Sequence, residues 1–261
     1  MRFSIRLAAY SAAALCMTPA LAADGWTVTI RGAGGVSPGW DGARDLTPFL
    51  LPGLSVRKAG APTSFAAPDD AVGVALLDEG WLKAGPVGRL RGPRRQSQHA
   101  VLRGLHDIDW TLEAGLFAEF WPMEKIRTRV EIRQGFLGHH GVVADLYADW
   151  VERQGAWTVS IGPRLSLASG ATMNKIYGVT LQDAIARPTL PIYQPGGGLR
   201  SLGVAGAVSY RWSPAWTTTV YAKYARLAGP AGASPIVREI GSSNQVTVGL
   251  IVAYSFDWAG L

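Results

Sequence analysis

Cysteine is nearly missing from this 261-residue sequence. Cys16 is the only one, which excludes a disulfide framework and a cysteine-rich zinc site. Charged residues are scarce at 17%, yet the hydrophobic share of 48% and the ten tryptophans are too high for a disordered chain. Long apolar runs are lacking as well. Beyond residue 22 nothing approaches the ~18 consecutive apolar residues of a membrane-crossing helix. The excess of one sign of charge is small: the formal net charge is +6, and Arg2 and Arg6 at the extreme N-terminus supply two of the 25 basic residues. The rest are scattered along the chain rather than gathered on one element, so nucleic acid is not an expected partner.

The first segment has the three parts of a secretory signal. Arg2 and Arg6 give a positive start, residues 7–17 an apolar middle, and Ala20-Leu21-Ala22 a small-residue cleavage pattern. Cys16 lies inside this leader, and Ala13-Ala14-Leu15 before it is a poor lipoprotein processing site. The expected division is a cleaved signal peptide over 1–22 and one exported domain over 23–261 that uses no thiol chemistry.

Alternation is the informative pattern. Trp110, Leu112, Ala114, Leu116, Ala118 and Phe120 interleave with Thr111, Glu113, Gly115, Phe117 and Glu119. In the next segment Ile126, Val130 and Ile132 interleave with Lys125, Arg127, Arg129, Glu131 and Arg133. A third sets Val142, Ala144, Leu146, Ala148 and Trp150 against Asp145, Tyr147 and Asp149, and a fourth sets Trp157, Val159, Ile161, Leu165 and Leu167 against Thr158, Ser160 and Arg164. Successive side chains of a strand point to opposite faces, so each segment reads as a strand with one apolar and one polar side. A helical period would mix charges into the apolar set.

Length separates the kinds of sheet. These runs, with others at 26–36, 46–56, 81–91, 199–212, 216–227 and 245–257, are about twice the ~5–6 residues usual in globular sheets. They match the ~9–11 residues of a strand tilted across a bilayer. Short turns at 121–124, 152–155 and 213–215 alternate with long connections at 92–109, 168–198 and 228–244, the loop asymmetry of outer-membrane barrels. A bilayer admits only helices or closed barrels, because an open edge would leave backbone groups unpaired. The expected fold is therefore all-β: a transmembrane antiparallel up-and-down β-barrel. It has 12 strands if 63–79 breaks at Pro68-Asp69-Asp70, with 10 as the other count. With the short turns placed on the periplasmic side, Trp26, Trp81, Trp121, Trp150, Trp157, Trp212, Trp216 and Trp258 fall on one rim as an aromatic girdle. Trp40 and Trp110 do not.

Several pieces, in order, carry a family resemblance. Ser234-Pro235-Ile236-Val237-Arg238-Glu239, then Asn244-Gln245 and the final strand through Phe256, resemble the C-terminal signature of the MipA/OmpV family. Ser37-Pro38-Gly39-Trp40-Asp41-Gly42, Leu102-Arg103-Gly104-Leu105-His106-Asp107, His140-Gly141-Val142-Val143-Ala144-Asp145 and Tyr193-Gln194-Pro195-Gly196-Gly197-Gly198 are similar to its upstream pieces. The chain departs from the family in lacking a terminal aromatic residue, since Asp257-Trp258-Ala259-Gly260-Leu261 follows Phe256. The resemblance implies a barrel of the bacterial outer membrane, in contact with lipid and lipopolysaccharide, without catalytic residues or cofactors. It further implies a scaffold that joins a lytic murein transglycosylase to a murein polymerase. A narrow porin-like channel for small solutes, or an adhesin acting through the long loops, are the alternatives.

The residues that look functional are the ions expected inside the barrel: Glu113, Glu119, Lys125, Arg127, Arg129, Glu131, Arg133, Asp145, Asp149 and Arg164. Adjacent strands read acidic, basic, acidic, basic. Cross-strand ion pairs that fix register account for this, and a solute-selecting eyelet is the functional alternative. His99, His106, His139 and His140 fall in the long loops near Ser97, Asp107 and Asp109. No nucleophile motif accompanies them, and adjacent His139 and His140 point apart in an extended chain, so neither catalysis nor metal binding is expected.

Overall fold

The computed structural model describes residues 25–61 and 63–258. The expected signal peptide, Cys16 and the last three residues lie outside them. Twelve strands form one curled antiparallel sheet. Ten are long: β1 (Trp26–Pro38), β2 (Leu46–Lys58), β5 (Leu82–Arg91), β6 (Thr111–Met123), β7 (Ile126–Leu137), β8 (Val142–Gln154), β9 (Trp157–Ala168), β10 (Gly198–Arg211), β11 (Trp216–Leu227) and β12 (Asn244–Trp258). The other two, β3 (Val72–Gly73) and β4 (Leu77–Asp78), are fragments that both pair with β5. Along each long strand the apolar set faces out and the polar set faces in, as the alternation requires. Leu112, Leu116, Ile132, Ile161, Val220 and Leu250 are exposed while Glu113, Glu131, Arg133 and Asp145 are buried. Such an inside-out arrangement is stable only where lipid covers the exterior.

The first and last strands are zipped together from Trp26 opposite Trp258 to Val36 opposite Val248. The sheet instead has its two ends at β2 and at the β3–β4 fragments. Residues 63–71 do not form a strand: the break at Pro68-Asp69-Asp70 yields no hairpin, and both fragments lie after it on one side of β5. The reason is electrostatic. Asp69 and Asp70 turn into the bore, where Arg164, Lys223 and Arg127 hold them, and this draws the segment off the wall.

The free edge of β2 is built to stay free. Antiparallel residues send their N–H and C=O alternately to the two sides. Asp45 accepts a bond from Gly39 and Ala59 donates to Gly25, so the odd positions face β1 and the even ones face the gap. Pro48 and Pro52 are even, and each deletes a donor from the exposed edge.

At one end the connections are tight: 124–125, 155–156 and 212–215, the second permitted by Gly155 at φ +59°. At the other end four long loops, 39–45, 92–110, 169–197 and 228–243, pack against each other. They contain helices α1 (Gly170–Tyr177), α2 (Leu181–Ala186) and α3 (Gly229–Gly232). One apolar cluster takes Trp40, Leu102, Leu105, Val179, Leu190 and Ile236 from all four loops. A second joins Met173, Ile176 and Tyr177 to Ile108, Val143, Leu227 and Val237. The loops therefore form a lid with its own core over this end of the barrel.

Candidate functional site

The inward faces of β6 to β9 carry one connected ionic network. Arg127 is completely buried; its guanidinium reaches Asp70 at 2.6 Å, Glu119 at 2.8 Å and Asp149 at 2.9 Å. Arg129 donates to Glu131 at 2.9 Å and lies over the Phe117 ring, 3.9 Å from its centre. Arg133 donates to Glu113 at 2.9 Å and also pairs with Glu131 and Asp145. Arg164 reaches Asp149 at 2.7 Å and Asp69 at 3.0 Å. Register explains the arrangement. Arg127 is directly opposite Asp149 and Glu119 opposite Arg129, but Glu131 is opposite Asp145. That like-charge pair would repel, and Arg133 between the two carboxylates, with Arg89 at 3.7 and 3.9 Å, neutralises it.

Nine of the ten ions expected in the bore are there. Lys125 is the exception: it sits exposed in the 124–125 turn and bonds half-buried Glu152 at 2.7 Å, because the hairpin turns before its side chain reaches the bore. The network also has members that the sequence reading did not single out. Arg89 and Arg91 on β5 share the inward parity of Lys83, Gly85 and Val87, so their own alternation was the available signal. Asp41 in the first loop is shared by Arg91 at 3.6 Å and Arg200 at 3.1 Å. No sequence signal announces that pairing.

The opposite side of the bore, on β10 to β12 and β1, is lined mostly by small and neutral residues such as Ala205, Ala207, Thr219, Thr247 and Thr29, with Arg200 and Lys223 as cations among them. Between the two sides, under the lid, is a cavity of about 540 Å³ bordered by Asp41, Arg91, Arg94, Tyr147, Arg200 and Lys223.

Seven of the eight tryptophans assigned to the rim are exposed on or beside strand ends at the tight-turn side, with Trp81 edge-on to Phe120 and Trp216 against Tyr254. Trp121 departs from this pattern. It is turned inward, its indole N–H donates to Glu119 at 2.9 Å, and Phe65 meets it edge-on. Four of the six C-terminal motif residues brace the loops and the last strand. Ser234 donates to the Tyr177 carbonyl at 2.6 Å, Pro235 precedes the turn at Ile236–Ile240, and Gln245 accepts from Gly42 and donates to the Ala43 carbonyl. Asn244 accepts from the Tyr224 hydroxyl at 2.8 Å, while Arg238 and Glu239 are exposed.

The loop histidines do not converge. His139 is buried in the upper bore, 3.2 Å from Glu113. His106 bonds Asp183 at 2.8 Å through Nδ1 and lies 2.9 Å from the Lys175 carbonyl through Nε2. Burial pushes the Asp183 carboxyl up, but bonds from the Thr180 backbone, His106 and the Thr180 hydroxyl outweigh it and hold the group below its ordinary range. Among the described residues no group of His, Cys, Asp or Glu is arranged to hold a metal.

Residues 30–256 match the family model described as MltA-interacting protein MipA. No curated protein matches the chain. Solved structures similar to it include an outer-membrane channel from Pseudomonas putida F1, at 13% identity over 89% of this chain and 96% of that one, with a TM-score of 0.45. The NanC porin follows at 9% identity over 88% and 100%, TM-score 0.41. OmpT, an outer-membrane protein of Vibrio cholerae, has 9% identity over 88% and 96%, TM-score 0.37.

Proposed function

The chain belongs to the MipA family, whose members are barrels of the bacterial outer membrane, and from that premise we propose that it is a scaffold for murein enzymes rather than a conduit. One observation carries the reading: the bore is filled on one side by paired ions and covered at its outer end by a lid with a buried apolar core. A barrel so occupied has its accessible binding surface on the periplasmic rim, which is where enzymes acting on murein can reach it. The tight turns and the exposed tryptophans beside them offer that surface. Aromatic side chains supply large contact area at low entropic cost. A lytic transglycosylase and a murein polymerase are the partner classes, the first in keeping with the family's name.

Capture from a periplasmic extract tests the assignment. Replacing 124–125 and 213–215 by Gly-Ser should reduce recovery of the transglycosylase on immobilised barrel at least fivefold; undiminished recovery removes the reading. Planar-bilayer recording provides the second arm. Electrical silence is expected, and discrete conductance whose selectivity shifts in Glu113→Gln or Arg129→Gln assigns a narrow channel instead.

A further inference from the structure

Six arginines are buried among the described residues: Arg94, Arg127, Arg129, Arg133, Arg164 and Arg200. Five have a carboxylate oxygen within 4.0 Å. Arg94 has none. It lies in the lid, at the isolated bridge to Ile108, where its Nη1 donates to the Ile176 carbonyl at 2.6 Å and its Nη2 is 3.3 Å from His106 Nε2. Its Nε is buried as well and has no hydrogen-bond partner. A guanidinium is always charged, and holding one out of water without a counter-charge is strongly unfavourable. Burial accordingly pulls the Arg94 guanidinium down, to about 10, against the more distant Asp183 and Asp41 carboxylates.

Arg94 also borders the cavity under the lid. Arg89, Arg91, Arg164, Arg200 and Lys223 line the same space, with Asp41 and Asp145 as its carboxylates. The other cations are held in place by ion pairs, so the cavity presents fixed guanidinium donors around one unpaired positive group. Its volume of about 540 Å³ falls in the ~300–1,000 Å³ range of small-molecule sites. On the seam side Phe49 of β2 and Leu90 of β5 border it, above the last β3 pair at Val72 and Gly88. Among the described residues no strand pairs with β5 there on the side away from β6, which gives a way in.

We propose that this cavity binds a small soluble oxyanion, a solute bearing a phosphate or carboxylate group, whose charge completes the pairing of Arg94. The planar guanidinium fork matches both groups. An anion there meets guanidinium donors that ion pairs already hold in position. The inference is independent of the scaffold reading, because it concerns the lid end rather than the periplasmic rim.

Titration calorimetry on the folded full chain in a neutral detergent is the test, with inorganic phosphate, glucuronate and glucose as probes and dodecyl phosphate as a lipid-like comparison. Phosphate and glucuronate should bind saturably and glucose should not. Arg94→Gln should weaken the anions roughly tenfold to a hundredfold, and Arg94→Lys should restore part of the loss. Absence of saturable binding by either soluble anion overturns the proposal, as does equal affinity in Arg94→Gln; uptake of dodecyl phosphate alone overturns it in favour of a lipid head group. Should Arg94→Gln fail to reach the heat-modifiable folded form, the wild-type chain decides. Phosphate should raise its unfolding temperature above that in sodium chloride of equal ionic strength, and equal temperatures overturn the site.

Discussion

At the residue scale the bore is held by ions that cannot be removed singly. Glu131 is fully buried and receives Arg129 at 2.9 Å, Arg133, and the backbone N–H of Ala71 at 3.1 Å from the inward segment. Glu131→Gln keeps the shape and removes the charge. It leaves buried guanidinium groups short of a partner, for which a loss of about 3–5 kcal/mol is expected, measurable by urea unfolding in detergent. Asp183 shows the opposite regime, one buried carboxyl in the lid that loses its charge on acidification. Its carboxyl bonds the Thr180 backbone N–H at 2.9 Å while its own N–H donates to the Thr180 hydroxyl at 3.1 Å, a reciprocal cap on α2. Because the folded value lies below the ordinary 3.8, the stabilisation is complete above that pH and is lost as pH falls through the lowered value. Amide-exchange protection over 181–186 should therefore drop on acidification below pH ~3.8. Asp183→Asn should abolish that drop and lower protection at neutral pH through loss of a cap, at a cost of about 1 kcal/mol.

At the scale of elements, β2 shows how an unpaired edge is kept harmless. Leu50 is 81% exposed and Leu51 and Leu54 are exposed too, so side chains alone would invite another strand. Pro48 and Pro52 remove donors at the positions that face outward. Replacing both by Val restores two donors and should raise the cross-linked dimer fraction above that of the wild type at the same detergent concentration. The long strands were legible in the sequence because each side chain reports its own face: Glu113 and Arg133 against Leu112 and Ile132 need no tertiary knowledge. The segment over 63–79 was not. Pro68-Asp69-Asp70 has the composition of a turn, and only the distant Arg164 and Lys223, on β9 and β11, turn it into an inward-folded stopper. The same limit explains Asp41, a loop residue whose partners come from β5 and β10, and Arg94, whose peculiarity is the absence of a neighbour. Trp121 misleads for a related reason. Its place in the chain matches the other rim tryptophans, but Glu119 two residues away takes its N–H into the bore.

At the scale of the whole molecule, two unlike halves share one wall. Strands β5 to β9 are cemented by charge, while β10 to β12 and β1 leave room behind small side chains, and the residual space collects between them under the lid. The lid and the rim of tight turns at the opposite end have no residues in common, so each can carry its own binding role.

The zipped meeting of Trp26 with Trp258 has a consequence for chain topology. The first and last strands adjoin within the wall, whereas the wall's true discontinuity lies between β2 and the β3–β4 fragments, beside which residues 63–71 run through the interior. A permuted polypeptide, with Trp26 and Trp258 joined by a short linker and new ends opened near residue 60, would keep every long ladder intact. Its acidic stopper would then be tied covalently on one side alone and held in the bore by Arg127, Arg164 and Lys223.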